Sequence, residues 1–521
     1  LGLVQRVTRK PEDELERMLS RLQAGEFIFE QPAAGDAEYT FKHALTQEVA
    51  YNALLVERRR VLHECAGDAI EVLYFARLDD HLAELAHHYG RSANLRKAVH
   101  YLRQAGNQAL ERSAYSEGRI LLSRGLELLK ELPDDTQRAR EEIGLQTALA
   151  WLLFAMGAPG GSEREAAVLR ASELCERLGD DARLVEALTF LSNVRVNRAE
   201  LQPARDLAEQ AVAMAELVEN PGIVARAHYQ LGQVFFYQGA YAASREQLEQ
   251  AHELFGPGPY RNFFDAWYAR WNAYYMVLVA AVSGYPDTAL KRSREALSAA
   301  RRSSDPDSIG VALHCHASLI WVLGDPRMAL GTAEELLALS AEHDMPLLML
   351  IGSCWRGWAL AAHGQVEEGI TALQRARAAS AEAALVLLMV LHVLAEVYLW
   401  GRRSDEGLDA VADGLAQVRK TGAGSLEPEL HRIKGDLLLL QGPPNAVEAE
   451  RCFRQAVKIT RDQSNRLWKL RATTSLARLL RDTGRRAEAR SMLADIYGWF
   501  TEGFDTADLK DAKALLDELA G

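Results

Sequence analysis

The 521-residue chain is poor in the residues that frame small, oxidised or metal-stapled folds. Its five cysteines (Cys65, Cys175, Cys315, Cys354 and Cys452) are odd in number, far apart and without a CxxC pair. That spacing excludes a disulfide framework and a cysteine zinc site, and it fits the reduced thiols of a cytoplasmic protein. Fifteen prolines leave long stretches free to be helical. No excess of cations exists either, with 60 Lys+Arg against 72 Asp+Glu and a net charge of −12. A phosphate-reading surface needs clustered excess cation, so nucleic acid is not the expected partner. The longest apolar stretch, Ala384 to Trp400, carries His392 and Glu396 and is too short and too polar to span a bilayer. The first residues lack the apolar core of a signal peptide. Because the chain begins at Leu1, we expect a piece of a longer polypeptide.

Motifs of catalysis are missing as well. No G-x-x-x-x-G-K-[ST] string occurs, and the glycine-rich spots GAPGGS, FGPGPY and KTGAGS lack the Lys-Ser/Thr ending that a phosphate cradle needs. Neither G-x-S-x-G nor H-E-x-x-H is present. The expectation is therefore a chain without phosphoryl or hydrolytic chemistry of its own, binding no cofactor and no metal.

What is present divides at about residue 75. Leu15, Met18, Leu19 and Leu22 recur at helical spacing behind the acids Glu12, Asp13 and Glu14, which suit a helix N-terminus. FIFEQ and EYTF, alternating on either side of PAAGD, predict a β-hairpin. From His43 to Leu73 the pattern predicts one long amphipathic helix. Helix, hairpin and helix in this order suggest the end of a winged-helix unit.

Beyond that point amphipathic helices alternate with short turns. Gly239, Gly284, Gly324, Gly364, Gly401, Gly442 and Gly484 are separated by 45, 40, 40, 37, 41 and 42 residues when their positions are subtracted. A period near forty implies stacked helical hairpins, none of which buries its apolar face alone. Inside the repeats small residues face large ones, as in Leu231, Gly232, Phe235, Tyr241, Leu248 and Ala251. The same holds for Gly435 with Ala449, Phe453 and Ala456, and for Gly357 and Gly369 with Leu373 and Ala376. This resembles the tetratricopeptide pattern, with helices longer than the usual 34-residue unit allows. Looser units are expected around Gly157 and Arg198, and an atypical one over Ala98–Pro133. The predicted fold is all-α, an α-solenoid of about ten tetratricopeptide-like hairpins behind a winged-helix remnant. Its expected parts are residues 1–75, the repeats at 76–497 and a C-terminal capping helix at 498–521.

EYTFKHALTQEVAYNALLVERRRVLHECAGDAIE resembles the junction that follows the ATPase module in bacterial signal-transduction ATPases of the STAND type. The closest likeness is to those fused to a class III adenylate/guanylate cyclase domain. The tail from Arg471 to Leu519 is similar to the C-terminal end of the same proteins, and PDTALKRSREAL and GWALAAHGQVEEGI fit their repeats. The resemblance implies an upstream effector and P-loop ATPase, with this chain supplying the winged helix and the repeat array. ATP or ADP would then belong to the longer parent. It also implies a role for His43, since relatives place a histidine there to sense bound nucleotide, although Ala44 stands where they often carry Asp. The alternative for His43 is a capping or packing histidine at the hairpin–helix junction.

Eight aromatics fall within sixteen residues: Tyr260, Phe263, Phe264, Trp267, Tyr268, Trp271, Tyr274 and Tyr275. Tyr260, Phe264, Trp267, Trp271 and Tyr275 follow i, i+3/i+4 spacing and are the candidate lining of a concave groove for a protein, a peptide or a small effector. Core packing between thick repeats is the alternative. His314 and His316 lie about 200° apart on a helix and cannot chelate one ion. His81 and His88 share a face but lack acids to complete a metal set. Arg58–Arg60, Lys291–Arg294 and Arg301–Arg302 read as solvated faces, because residues 1–64 hold nine Lys/Arg against eleven Asp/Glu. The expected function is a non-catalytic interaction and sensor arm of a STAND ATPase or cyclase, with homo-oligomerisation open. The alternatives are the solenoid of a maltose-activator-like transcriptional regulator and a free-standing adaptor.

Overall fold

A computed structural model describes residues 1–31, 37–112, 114–157, 160–256, 258, 263–380 and 383–520. The chain forms two compact units, one of Leu1–Ala158 with Ala166–Gly179, the other of Pro159–Glu165 with Asp180–Gly521. Each is described by itself.

Unit 1 opens with α1 (Gly2–Thr8), α2 (Glu12–Ala24), β1 (Ile28–Gln31), β2 (Glu38–Phe41), α3 (Ala44–Asn52) and α4 (Val56–Leu73). The two strands pair antiparallel, Ile28 opposite Phe41 and Gln31 opposite Glu38. The turn at 32–36 lies outside the described residues. Leu15, Leu19 and Ile28 form a small core with Leu1 and Tyr39 against it. The long helix expected over 43–73 is in fact two, because Leu55 is extended (φ −58, ψ 145) and restarts the chain as α4. Nothing in the local sequence accounts for that break. After a 3-10 stretch (Phe75–His81), α5 (Leu82–Tyr89) packs on α4 and is followed by α6 (Leu95–Glu111), α7 (Tyr115–Leu129), α8 (Thr136–Ala155) and, from Ala166 on, α9 (Ser162–Leu178). The close approach of α4 and α5 requires Gly67, where a Cβ would lie 2.6 Å from the Tyr89 ring. Tyr89 Oη donates to Asp68 (2.8 Å), and Lys97 holds Asp68 (2.8 Å) and Glu71 (2.7 Å).

Unit 2 is a run of hairpins. Its helices are α10 (Asp181–Asn197) with α11 (Leu201–Ala215), α12 (Pro221–Gln238) with α13 (Tyr241–Phe255), and α14 (Phe263–Val282) with α15 (Pro286–Ser303). Next come α16 (Pro306–Val322) with α17 (Ala329–Glu342), α18 (Pro346–Ala362) with α19 (Val366–Ala379), and α20 (Ala384–Trp400) with α21 (Ser404–Thr421). Last are α22 (Glu427–Leu440) with α23 (Ala446–Asp462), α24 (Arg466–Asp482) with α25 (Arg486–Tyr497), and α26 (Ala507–Ala520). Prolines 221, 286, 306 and 346 each open a helix, where the missing N–H costs nothing. Asn220, Asp305 and Asn465 cap their helices by accepting backbone N–H groups.

The glycine turns fall between the two helices of each pair, as the spacing predicts, and six of the seven have left-handed backbone. Gly401 does not; its φ is −74, and Arg402 beside it takes the left-handed turn (φ 55). Small residues sit where helices meet: a Cβ on Gly435 would lie 2.4 Å from Phe453, and one on Gly357 2.8 Å from Leu373. α26 packs on α24 and α25 through Leu509, Ala512, Leu515 and Leu519, all buried. No described helix is long and apolar enough to cross a membrane.

Candidate functional site

The first helix of each pair forms the inner wall of unit 2. From α14 to α24 each first helix touches the next, and α24 in turn touches α14, so six of them close into a ring. The period implies stacking but not this closure. Contacts distant in sequence hold it. Tyr241, fully buried, donates to the Ser425 carbonyl (3.1 Å), and Gln463 Nε2 donates to the Gly424 carbonyl (2.8 Å) beside Gly239. Thr288 gives its N–H (2.9 Å) and its hydroxyl (3.0 Å) to Glu502, while Gly503 N–H donates to Asp287 (2.9 Å). Trp499 covers Gly284 so closely that no Cβ fits there.

Aromatic side chains fill the middle of the ring. Tyr274 stacks on His314 (4.8 Å between ring centres, 28°), and Trp355 donates to His314 Nδ1 (3.3 Å). Trp321 packs against Trp355, His392 and Trp468 at 5.4, 5.1 and 6.5 Å. They leave a cavity of about 120 Å³ lined by Tyr237, Tyr274, His314, Trp321, Trp355 and Trp468. Burial pushes His314 down to about 3 and His392 down to about 4, so both rings are neutral near pH 7.

Toward the glycine-turn ends of α16, α18 and α22 a groove of about 1170 Å³ opens, lined by Trp358, Glu396, Trp400, Arg432, Arg471 and Asp508 among others. An ion network forms its floor. Glu429, 1% exposed, accepts both Nε (3.0 Å) and Nη2 (2.9 Å) of Arg432 and Nη1 of Arg471 (3.2 Å). Arg432 also holds Asp436 (2.6 Å), and Arg471 holds Asp508 (2.6 Å). Burial alone would raise Glu429, but Arg432 and Arg471 outweigh it and hold this carboxyl at about 2. Glu396 differs: its Oε2 accepts the indole N–H of Trp321 (3.3 Å) and of Trp358 (3.0 Å), and burial moves its pKa up.

The candidates from the sequence are distributed as follows. Tyr260 lies outside the described residues. Phe264 and Trp271 are half-buried, and Trp267 and Tyr275 are buried at 8% and 1% exposure. Tyr275 bonds Gln233 (2.9 Å) and Tyr237 (3.0 Å), which places it in the packing between α12 and α14. Among the described residues of that aromatic run, Tyr274 lines the cavity. His43 is the N-cap residue of α3, exposed and without a side-chain cap bond. His81 bonds Glu84 and stacks on Tyr74, His88 meets His63, and His316 bonds Ser293 away from His314. Among the described residues no group of His, Cys, Asp or Glu is arranged to hold a metal. Glu396, Trp358, Trp400 and the Arg432–Arg471 network were not singled out from sequence. The one available signal was an acid and a histidine inside the most apolar helix.

No family model matches the chain. An uncharacterized protein of Rhizobium meliloti (strain 1021), R02095, is 33% identical over 121 residues, which span 23% of this chain and 12% of that protein's length. Among solved structures, a Rap protein complexed with competence and sporulation factor aligns over 76% of this chain and 99% of its own, with 13% identity and a TM-score of 0.43. A STAND protein with a tetratricopeptide repeat sensor from Pyrococcus horikoshii aligns over 100% of this chain and 74% of its own, with 13% identity and a TM-score of 0.38. Yeast Tom70 covers 92% of this chain and 96% of its own, with 14% identity and a TM-score of 0.33. These are weak overall likenesses, and the α-solenoid described above rests on the chain's own hairpins.

Proposed function

We propose that the chain is a non-catalytic interaction and sensor module that regulates an attached or associated STAND-type ATPase or nucleotide cyclase in signal transduction. Residues 1–75 are the junction with that module, 76–497 the sensing array and 498–521 its cap. The observation that carries this reading is where exposed apolar side chains concentrate. Of 26 large hydrophobics exposed among the described residues, sixteen lie between Val4 and Phe75, with Leu55 and Phe75 both 80% exposed. An apolar surface of that extent on so short a segment suits a face that another domain covers. The groove and cavity of unit 2 supply the other half of a sensor, an inner surface on which a protein, a peptide or a small effector is differentially bound in one state. ATP or ADP belongs to the upstream module, and His43 would meet it only there.

The test begins with the intact mass of the native polypeptide that contains Leu1, followed by amide hydrogen exchange on that polypeptide and on this chain alone. Protection of Ala44–Leu73 in the native polypeptide only is the expected result. Equal exchange in the two would remove the attached-module reading and leave an adaptor. In the longer protein His43→Ala weakens nucleotide binding; unchanged affinity would return His43 to a junction residue.

A further inference from the structure

The inner face of unit 2 also carries information on what it recognises. Nearly every charge in the groove is neutralised at contact distance. Arg432 has Glu429 and Asp436, Arg471 has Asp508 and Glu429, Arg478 has Asp511, and Arg481 has Asp482. Glu396 is the exception, its carboxylate held by two indole N–H groups and by no cation within ion-pair distance among the described residues. Along the lining five carboxyls (Glu396, Asp436, Asp482, Asp508 and Asp511) stand against four guanidiniums (Arg432, Arg471, Arg478 and Arg481), and the one left without a cation partner is Glu396.

A further observation sits beside that carboxylate. Trp358, which fixes it, lies 6.1 Å from Trp400, a residue 39% exposed that also lines the groove, so indole surface flanks the acid. A carboxyl with aromatic faces beside it and no cation partner of its own is a site for a planar cation with several N–H donors. A guanidinium meets this description better than an ammonium, because it stacks on indole and donates along two edges. The volume, about 1170 Å³, exceeds the roughly 300–1,000 Å³ typical of small-molecule pockets and has room for chain on either side of one side chain.

We propose that the groove binds a peptide segment through an arginine side chain seated on Glu396 against Trp358 and Trp400. This rests on the reading of the inner face as the partner site. Two pools of heptapeptides with randomised flanks, one with arginine and the other with neutral citrulline at the centre, test it against the full chain by fluorescence anisotropy. The arginine pool is expected to bind at least about tenfold more tightly. Glu396→Gln, which keeps an acceptor for the two indoles, is expected to abolish that preference. Trp400→Ala, at an exposed residue, is expected to weaken arginine binding by about threefold or more. Equal binding of the two pools, or a preference that survives in E396Q, overturns the arginine assignment and leaves the inner face as a peptide site. Failure of the wild-type chain to bind either pool overturns both.

Discussion

Arg471 Nη2 donates to the main-chain carbonyl of Val322 at 2.9 Å, joining residues 149 positions apart. The same guanidinium holds Asp508 and Glu429, so one side chain ties α24 to α16, α22 and α26. Removing it leaves the partly buried Asp508 without its cation and the buried Glu429 with Arg432 alone. Arg471→Met is therefore expected to destabilise unit 2 by about 3–5 kcal/mol, the usual cost of breaking a buried pair on one side. Urea unfolding followed by far-UV circular dichroism measures it, and a loss under 1 kcal/mol would contradict the closure argument.

Buried titratable groups set the response to acid. His314, His392 and, in unit 1, His88 are pushed down to about 3, 4 and 4, chiefly by burial. The unfolded chain takes up protons at these rings near pH 6.5 while the folded chain does not, so stability falls as the pH drops below that value. Glu429, held at about 2, adds a second loss between about pH 4.3 and 2 as the unfolded carboxyl protonates first. Thermal melts from pH 7.5 to 3 are expected to show both steps. A Tm unchanged between pH 7 and 5 would rule out the buried neutral histidines.

His392 also tests the cost of an unsatisfied polar group, since both its nitrogens are buried without a partner. His392→Phe fills a similar volume without them. It is expected to keep or raise Tm at pH 7 and to flatten the slope below pH 6.5. A clear drop in Tm would show that the imidazole has a stabilising partner.

Two glycines separate steric from backbone requirements. A Cβ at Gly369 would lie 2.6 Å from the Gly357 carbonyl oxygen, which is main chain and cannot rotate away. Gly364 has φ +89 but nothing within 4 Å of its Cβ position. Gly364→Ala should cost about 1–2 kcal/mol from left-handed strain alone, and Gly369→Ala more. The order of the two Tm values decides the point.

At the front of unit 1, Leu55 and Phe75 contribute little to the fold of this chain. The double change Leu55→Ser, Phe75→Ser is expected to leave stability within about 0.5 kcal/mol and to reduce binding of a hydrophobic dye. A large destabilisation would mean that these side chains pack within the chain, against the junction reading.

Much of the architecture was legible in the order of residues. Helix periodicity, prolines at helix starts and glycines about forty apart specify hairpins, because each depends on local backbone geometry and on side chains three or four positions away. The β1–β2 hairpin was legible for the same reason. Other features depended on the whole. Sequence left the aromatic run of α14 between a groove lining and core packing; Trp267 and Tyr275 lie buried, while Tyr274 lines the cavity. Helix phase alone does not say which face meets α12 and α16. The closure of α14 on α24 joins helices far apart in sequence, and no single repeat encodes it. Glu396, Trp358 and Trp400 become one site only because neighbouring first helices set them side by side. Residues that no spacing rule connects acquire their chemistry from that packing.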